Sequence, residues 1–94
     1  GNMLNQRIRE VRQARGMSQV ELAGLLGVTK QSVSNWENDN IQPSIEMLVK
    51  LAQTLSVSAD YLLGLEGRKT LDVSGLSPQA VGHLQLLIED IKAK

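Results

Sequence analysis

The chain has 94 residues, with ten basic and ten acidic side chains and no cysteine. This length allows one domain with a modest apolar core and leaves little for an elaborate catalytic cleft. The lack of cysteine excludes disulfides and Cys-based metal sites and suits a reducing cytoplasm, where we expect the protein to act, with no segment spanning a membrane. Because the net charge is zero, a polyanionic partner would have to be met by a local basic patch.

The first predicted helix covers residues 4–15. Leu4, Ile8 and Val11 recur at i, i+4 and i+7, which is one apolar stripe of a helix, and Gly16 is a natural C-terminal stop. The same stretch carries the one visible basic patch, formed by Arg7, Arg9, Arg12 and Arg15. Such a run of charge is most often a solvated helix face.

Two short helices are predicted next, separated by only three residues. Ser18 and Glu21 form a capping box that opens a helix over 19–26. Thr29 caps a third helix over 30–37, and its apolar residues are Val33 and Trp36.

The turn between these helices is the most informative feature of the sequence. A three-residue connection at a steep angle requires a residue with positive φ, which Gly27 supplies without steric cost. Ala23 is small enough to let the two helices approach closely, while Val28, Val33 and Trp36 fill the angle between them. Taken together, these residues are typical of a helix-turn-helix.

Two more helices complete a compact globule. Ser44 caps a helix over 45–55, and Ser58 caps a short one that ends at Gly64. Residues 66–76 lose the helical period and are interpreted as a linker, in which Leu71 and Val73 suggest a short extended piece.

A sixth helix, within residues 77–94, lies outside this globule. Ser77 caps it and Pro78 takes its first position. Its apolar stripe consists of Val81, Leu84, Leu87, Ile88 and Ile91. The spacing resembles the seam of a two-heptad coiled coil and favours a role in dimerisation. Docking onto its own globule is the alternative, whereas a membrane-surface helix is disfavoured because the polar face has no basic excess.

Residues 4–65 resemble the XRE, or Cro and phage-repressor, helix-turn-helix family. The resemblance is carried by "IREVRQARGMSQVELAGLLGVTKQSVSNWEN", then Pro43, then "LVKLAQTLSVSADYLL". It implies an all-α fold, with a five-helix lambda-repressor-like DNA-binding domain over 3–65, a linker and a C-terminal amphipathic helix. It also implies a transcriptional regulator without a cofactor, in particular a repressor. Such a protein binds a two-half-site DNA operator as a homodimer and inserts its third helix into the major groove.

Functional positions are carried over from the family residue by residue. The base-reading positions fall on Lys30, Gln31, Ser32 and Asn35, and the DNA-backbone positions on Arg12, Gln19, Thr29, Asn38 and Asn40. The structural positions are Ala23, Gly27, Val33, Trp36 and Glu37, of which Glu37 matches a family salt bridge with Arg12. Many relatives have a Gly and a basic residue in the loop after the third helix, where this chain has Asp39 and Asn40. This difference predicts weaker binding of the DNA phosphate by the loop after the third helix.

Two other classes of function compete with DNA binding. An enzyme is rejected because the acidic residues are scattered, the single histidine is His83, and no metal-ligand spacing occurs. A protein-interaction module, such as an antitoxin or an adaptor, stays open because of the zero net charge and Asp39. A regulatory protein partner is compatible with both functions.

Overall fold

The computed structural model describes residues 3–94, which contain six helices and no strand. The helices are α1 Met3–Ala14, α2 Gln19–Leu26, α3 Lys30–Glu37, α4 Ile45–Leu55, α5 Ala59–Leu63 and α6 Pro78–Lys92. The all-α prediction is therefore confirmed. The first helix begins and ends one residue earlier than expected, and the extended piece suggested around Leu71 and Val73 forms no strand.

Side-chain caps explain why the later helices begin where they do. A Ser or Thr hydroxyl accepts a backbone N–H three residues ahead at the start of α2, α3, α4, α5 and α6. At α2 the capping box is complete, because the Ser18 backbone N–H also donates to Glu21 Oε1 at 3.1 Å. Each such cap stabilises its helix by about 1 kcal/mol. The α2–α3 turn then follows at Gly27, which has a φ of 73°.

The apolar core is built entirely from the first five helices. Its buried members are Leu4, Ile8, Leu22, Ala23, Leu26, Val33, Trp36, Leu51, Ala52, Leu55 and Leu62. Trp36 is thus a core residue and not an exposed platform for stacking bases. The three residues predicted to fill the α2–α3 angle lie here too, with Val33 and Trp36 buried and Val28 packed against the cluster.

Helix α6 has no buried residue, and the packing between helices is carried by α1 to α5. Residues 69–73 run beside α6 instead, so that Leu71 and Val73 share an open groove of about 280 Å³ with Val81, Leu84 and Ile88. Four residues of the apolar stripe of α6 are exposed, from 39 % at Leu84 to 63 % at Ile91, and Val81 is half-buried. In this structure α6 is not docked on the five-helix globule. Within residues 3–94, no helix is both long and apolar enough to traverse a bilayer.

Candidate nucleic-acid interface

Helix α3 has one buried face and one polar face. Val33 and Trp36 are buried against the other helices. Lys30 and Gln31 are exposed, and Ser32 and Asn35 are half-buried on the polar side. The four residues assigned to base reading by resemblance therefore lie together on the accessible surface of one short helix.

Two of these side chains are hydrogen-bonded to each other. Gln31 Nε2 donates to Asn35 Oδ1 at 3.0 Å, one helical turn away. In this arrangement Gln31 Oε1 offers an acceptor and Asn35 Nδ2 offers donors to an incoming ligand. An adenine presents the complementary donor and acceptor on its major-groove edge.

The N-terminal end of α3 is organised by Thr29. Its hydroxyl accepts the backbone N–H of Ser32 at 3.1 Å, and the two hydroxyl oxygens are also 3.1 Å apart. Thr29 therefore caps the helix and orients Ser32. Lys30, the first residue of the helix, is left on the exposed side of this end.

A buried carboxylate at the other end of α3 joins three helices. Glu37 is 1 % exposed and receives two hydrogen bonds from Arg12 of α1, at 2.6 and 2.9 Å. Gln19 of α2 donates a third bond at 3.1 Å. Arg12 is itself 8 % exposed and also donates to the backbone carbonyl of Met17 at 2.8 Å. The ion pair suggested by the resemblance is present, and it fixes the angle of α3 relative to α1 and α2.

Sequence reasoning missed two further residues at this end of α3. Arg9 Nη2 donates to Asn38 Oδ1 at 2.9 Å and to the Glu37 backbone carbonyl at 3.3 Å. Asn5 Nδ2 donates to the same carbonyl at 3.2 Å. The arginine run was the only sequence signal for Arg9, because its partners lie almost thirty residues away along the chain. Asn38, assigned to the DNA backbone, also donates to Ser34 Oγ at 3.2 Å.

The arginine run does not form the solvated face that its charge suggests. Arg12 is buried and Arg9 reaches α3, whereas Arg7 turns towards the C-terminal side of the globule. Arg7 lies over the Tyr61 ring at 4.3 Å from the centroid and 2.7 Å from Glu66 Oε1. Arg15 has the exposed position expected of a surface charge. The helical period of α1 places these side chains on different sides of the helix, which their closeness in sequence conceals.

The remaining loop position assigned to the DNA backbone is exposed. Asn40 follows Asp39, whose backbone takes a φ of 59°. The Asn40 backbone N–H donates to the Asn35 carbonyl at 2.9 Å, which closes the C-terminus of α3. The loop therefore turns tightly beside the polar face of α3.

The buried carboxylate has an altered acidity. Burial on its own raises the pKa of Glu37, but hydrogen bonds from Arg12 and Gln19, with the charges of Arg12 and Arg9, outweigh it. The pKa of Glu37 is thus lowered from its ordinary value of 4.5. The stability that this group contributes is present above the unfolded-state pKa and is lost as the pH falls through the folded-state pKa.

We expect Glu37→Gln to remove part of the acid sensitivity of the fold. The free energy of unfolding of the wild type should fall as the pH drops below about 4.5, since the unfolded state binds the proton first. Urea titrations between neutral and acidic pH would measure this slope for the wild type, for Glu37→Gln and for the control Glu10→Gln, an exposed acid of α1. Equal slopes for wild type and Glu37→Gln would contradict the assignment of the lowered pKa.

The described residues offer no metal centre. Nowhere in 3–94 do three His, Cys, Asp or Glu side chains come close enough together to hold a metal ion. His83 lies exposed on α6. The chemistry available at α3 is hydrogen bonding and charge.

Comparisons with known proteins agree with this geometry. Residues 8–62 match the family model described as "Helix-turn-helix". The HTH-type transcriptional regulator ImmR of Bacillus subtilis is 41 % identical over 61 residues, covering 65 % of this chain and 48 % of ImmR. The chain thus spans about half the length of this curated relative.

Two solved structures extend the comparison. The P22 c2 repressor bound to a synthetic operator superposes with a TM-score of 0.65 and 32 % identity, covering 69 % of this chain and 98 % of the repressor chain. A chain of the SinR–SinI protein complex superposes with a TM-score of 0.63 and 31 % identity, covering 98 % of this chain and all of that one. With its five-helix core and its matching α2–α3 turn, the chain belongs to the phage-repressor-like, or XRE, family of helix-turn-helix transcriptional regulators.

Proposed function

We propose that the chain is a sequence-specific double-stranded DNA-binding transcriptional regulator, a repressor that places α3 in the major groove. The carrying observation is the polar face of α3, held rigidly by the buried Arg12–Glu37 pair. An α-helix with its side chains is about 10 to 12 Å across, which matches the width of about 12 Å of the major groove. The operator-bound P22 c2 repressor supports this mode of binding through its similarity to residues that include α3.

In this proposal the residues of the polar face of α3 contact different kinds of base. Gln31 and Asn35 form hydrogen bonds with the edge of an adenine, and Lys30 donates to a guanine. Ser32 can contact more than one kind of base, because its hydroxyl both donates and accepts. Gln19 lies at the N-terminus of α2, where free backbone amides and the helix dipole favour a phosphate. Thr29, Asn38 and Asn40 lie on the flanks of α3 and complete the assigned backbone contacts. Arg12, being buried, acts by positioning α3.

We further propose that α6 pairs two chains, so that residues 3–65 bind DNA, 66–76 connect and 77–94 dimerise. The exposed stripe of Leu84, Ile88 and Ile91 supports this division, because an apolar row of this kind is costly to leave in water. A dimer would engage two half-sites about one helical turn apart. The match to the SinR–SinI chain includes α6, which also supports a regulatory protein partner.

Gln31→Ala and Gln19→Ala should change DNA binding in different ways. Loss of a bidentate base contact at Gln31 is expected to cost about 1 to 3 kcal/mol at one or two base pairs and to relax specificity there. Gln19→Ala should weaken all duplexes by a similar factor, since it acts on a phosphate and on the Glu37 network. Affinities for a panel of single-base operator variants measure both effects. A base profile altered by Gln19→Ala and untouched by Gln31→Ala would reverse the assigned roles.

A protein-interaction module of the same fold is the second candidate. It is favoured by the zero net charge and by the similarity to a chain solved with a partner protein. Binding to a duplex of random sequence at low salt separates the candidates, because even non-specific DNA-binding proteins hold the phosphate backbone there.

A further inference from the structure

The loop after α3 presents a problem for the proposed function. It contains Asp39 and no basic residue, although a helix C-terminus exposes carbonyl groups and the negative end of the helix dipole. A cation held there would favour the approach of a phosphate to this end. The N-terminus of α2 has no such need, since its amides and dipole already favour an anion.

The structure brings a cation to this place from α1. Arg9 Nη2 lies 2.9 Å from Asn38 Oδ1 and 3.3 Å from the Glu37 backbone carbonyl, at the C-terminal end of α3. Asn38 continues the polar row of Gln31 and Asn35 at i, i+4 and i+7, so it lies on the same side of the helix. The Arg9 guanidinium therefore lies at the end of the row assigned to base reading.

Glu37 by itself does not neutralise this guanidinium. Arg12 bonds both oxygens of Glu37 and is buried with it. Arg9 Nε is 3.5 Å from Glu37 Oε1, and its side chain stays 45 % exposed. Two arginines thus share one carboxylate, and the surplus positive charge lies on the accessible member.

We infer that Arg9 is a DNA phosphate-binding residue that supplies the cation missing from the loop at 38–40. It donates to the Glu37 carbonyl at the C-terminal end of α3 and presents its remaining N–H groups to a phosphate at the edge of the groove. Arginine suits both tasks, because its planar guanidinium donates in several directions at once. The inference rests on the proposed function, since it requires α3 to lie in the groove.

The salt dependence of DNA binding by the 94-residue chain tests this inference. Each phosphate contact contributes a slope of about −0.9 to log K against log salt concentration, so a dimer that loses both Arg9 contacts should lose about 1.8. Arg9→Gln keeps the ability to donate to the Glu37 carbonyl but removes the charge, whereas Arg9→Lys keeps the charge. The probe is a random-sequence duplex about three helical turns long, and Lys94→Ala is a control that removes one charge at the end of the chain.

We expect the slope to become shallower for Arg9→Gln and to stay near the wild-type value for Arg9→Lys and Lys94→Ala. A thermal melt of each variant shows whether it is folded. An Arg9→Gln protein that melts earlier or binds more weakly at every salt concentration, yet keeps the wild-type slope, would make Arg9 a structural cap and overturn the inference. A wild type without measurable binding at low salt would overturn the proposed function as well.

Discussion

Arg12→Ala is expected to lower the free energy of unfolding by about 3 to 5 kcal/mol, because it leaves a charged group buried without its main partner. Glu37 is 1 % exposed, and after the substitution Gln19, at 3.1 Å, and Arg9, at 3.5 Å, would remain near its carboxylate. The angle of α3 would also lose its main restraint, so DNA affinity should fall together with stability. Urea denaturation at neutral pH measures the first effect and duplex titration the second.

Two controls separate the ion pair from nonspecific damage to α1. Arg15→Ala removes an exposed arginine of the same segment and should change stability by no more than about 0.5 kcal/mol. The double variant Arg12→Met, Glu37→Leu should recover much of the lost stability, since replacing both buried charges by apolar groups of similar size is often nearly neutral. An Arg12→Ala protein with unchanged stability and affinity would show that the pair contributes neither.

Removing α6 is expected to produce a folded monomer whose operator affinity is weaker by about 10² to 10⁴, because the second binding event would no longer be intramolecular. A chain ending at Gly67 keeps every core residue and the Arg7–Glu66 ion pair. The five-helix unit should therefore fold on its own. Sedimentation of the full and the shortened chains at micromolar concentration, followed by operator titration, measures both expectations.

A matched pair of substitutions makes the test independent of truncation. Leu84 lies on the stripe of α6 and Leu86 lies on the opposite side of the helix, both exposed. Leu84→Asp should dissociate the dimer and Leu86→Asp should leave it intact. A monomeric full chain, or a shortened chain that dimerises as tightly, would refute the role of α6.

Local physical chemistry made most of the fold predictable. Helices α2, α3 and α4 have the predicted bounds. Ser18, Thr29 and Ser44 each cap a helix that begins at the next residue, and the apolar period shows which face is buried. The positive φ at this turn was likewise predictable, because Gly27 is a glycine between two closely spaced helices. These signals act within a few residues, so they can be recognised without knowledge of the tertiary structure.

The contacts of the candidate site were harder to predict because they depend on helix crossing angles. The bonds from Gln19 to Glu37 and from Arg9 to Asn38 join residues 18 and 29 positions apart, and neither follows from spacing. The Arg12–Glu37 pair was anticipated only through resemblance to a family. No periodicity in the sequence indicates that residues 69–73 run along α6. The left-handed φ of 57° at Ser56 was also not predictable, because the position is not a glycine.

Selection of bound sequences from a random duplex pool tests the central claim, that the polar face of α3 reads DNA, most directly. The full chain is predicted to enrich paired half-sites whose centres lie about one helical turn apart, or 10 to 10.5 base pairs. The Gln31→Ala protein is predicted to enrich the same spacing with one or two positions relaxed in each half-site. A pool that stays random after selection with the wild type, or an identical motif with Gln31→Ala, would contradict the claim.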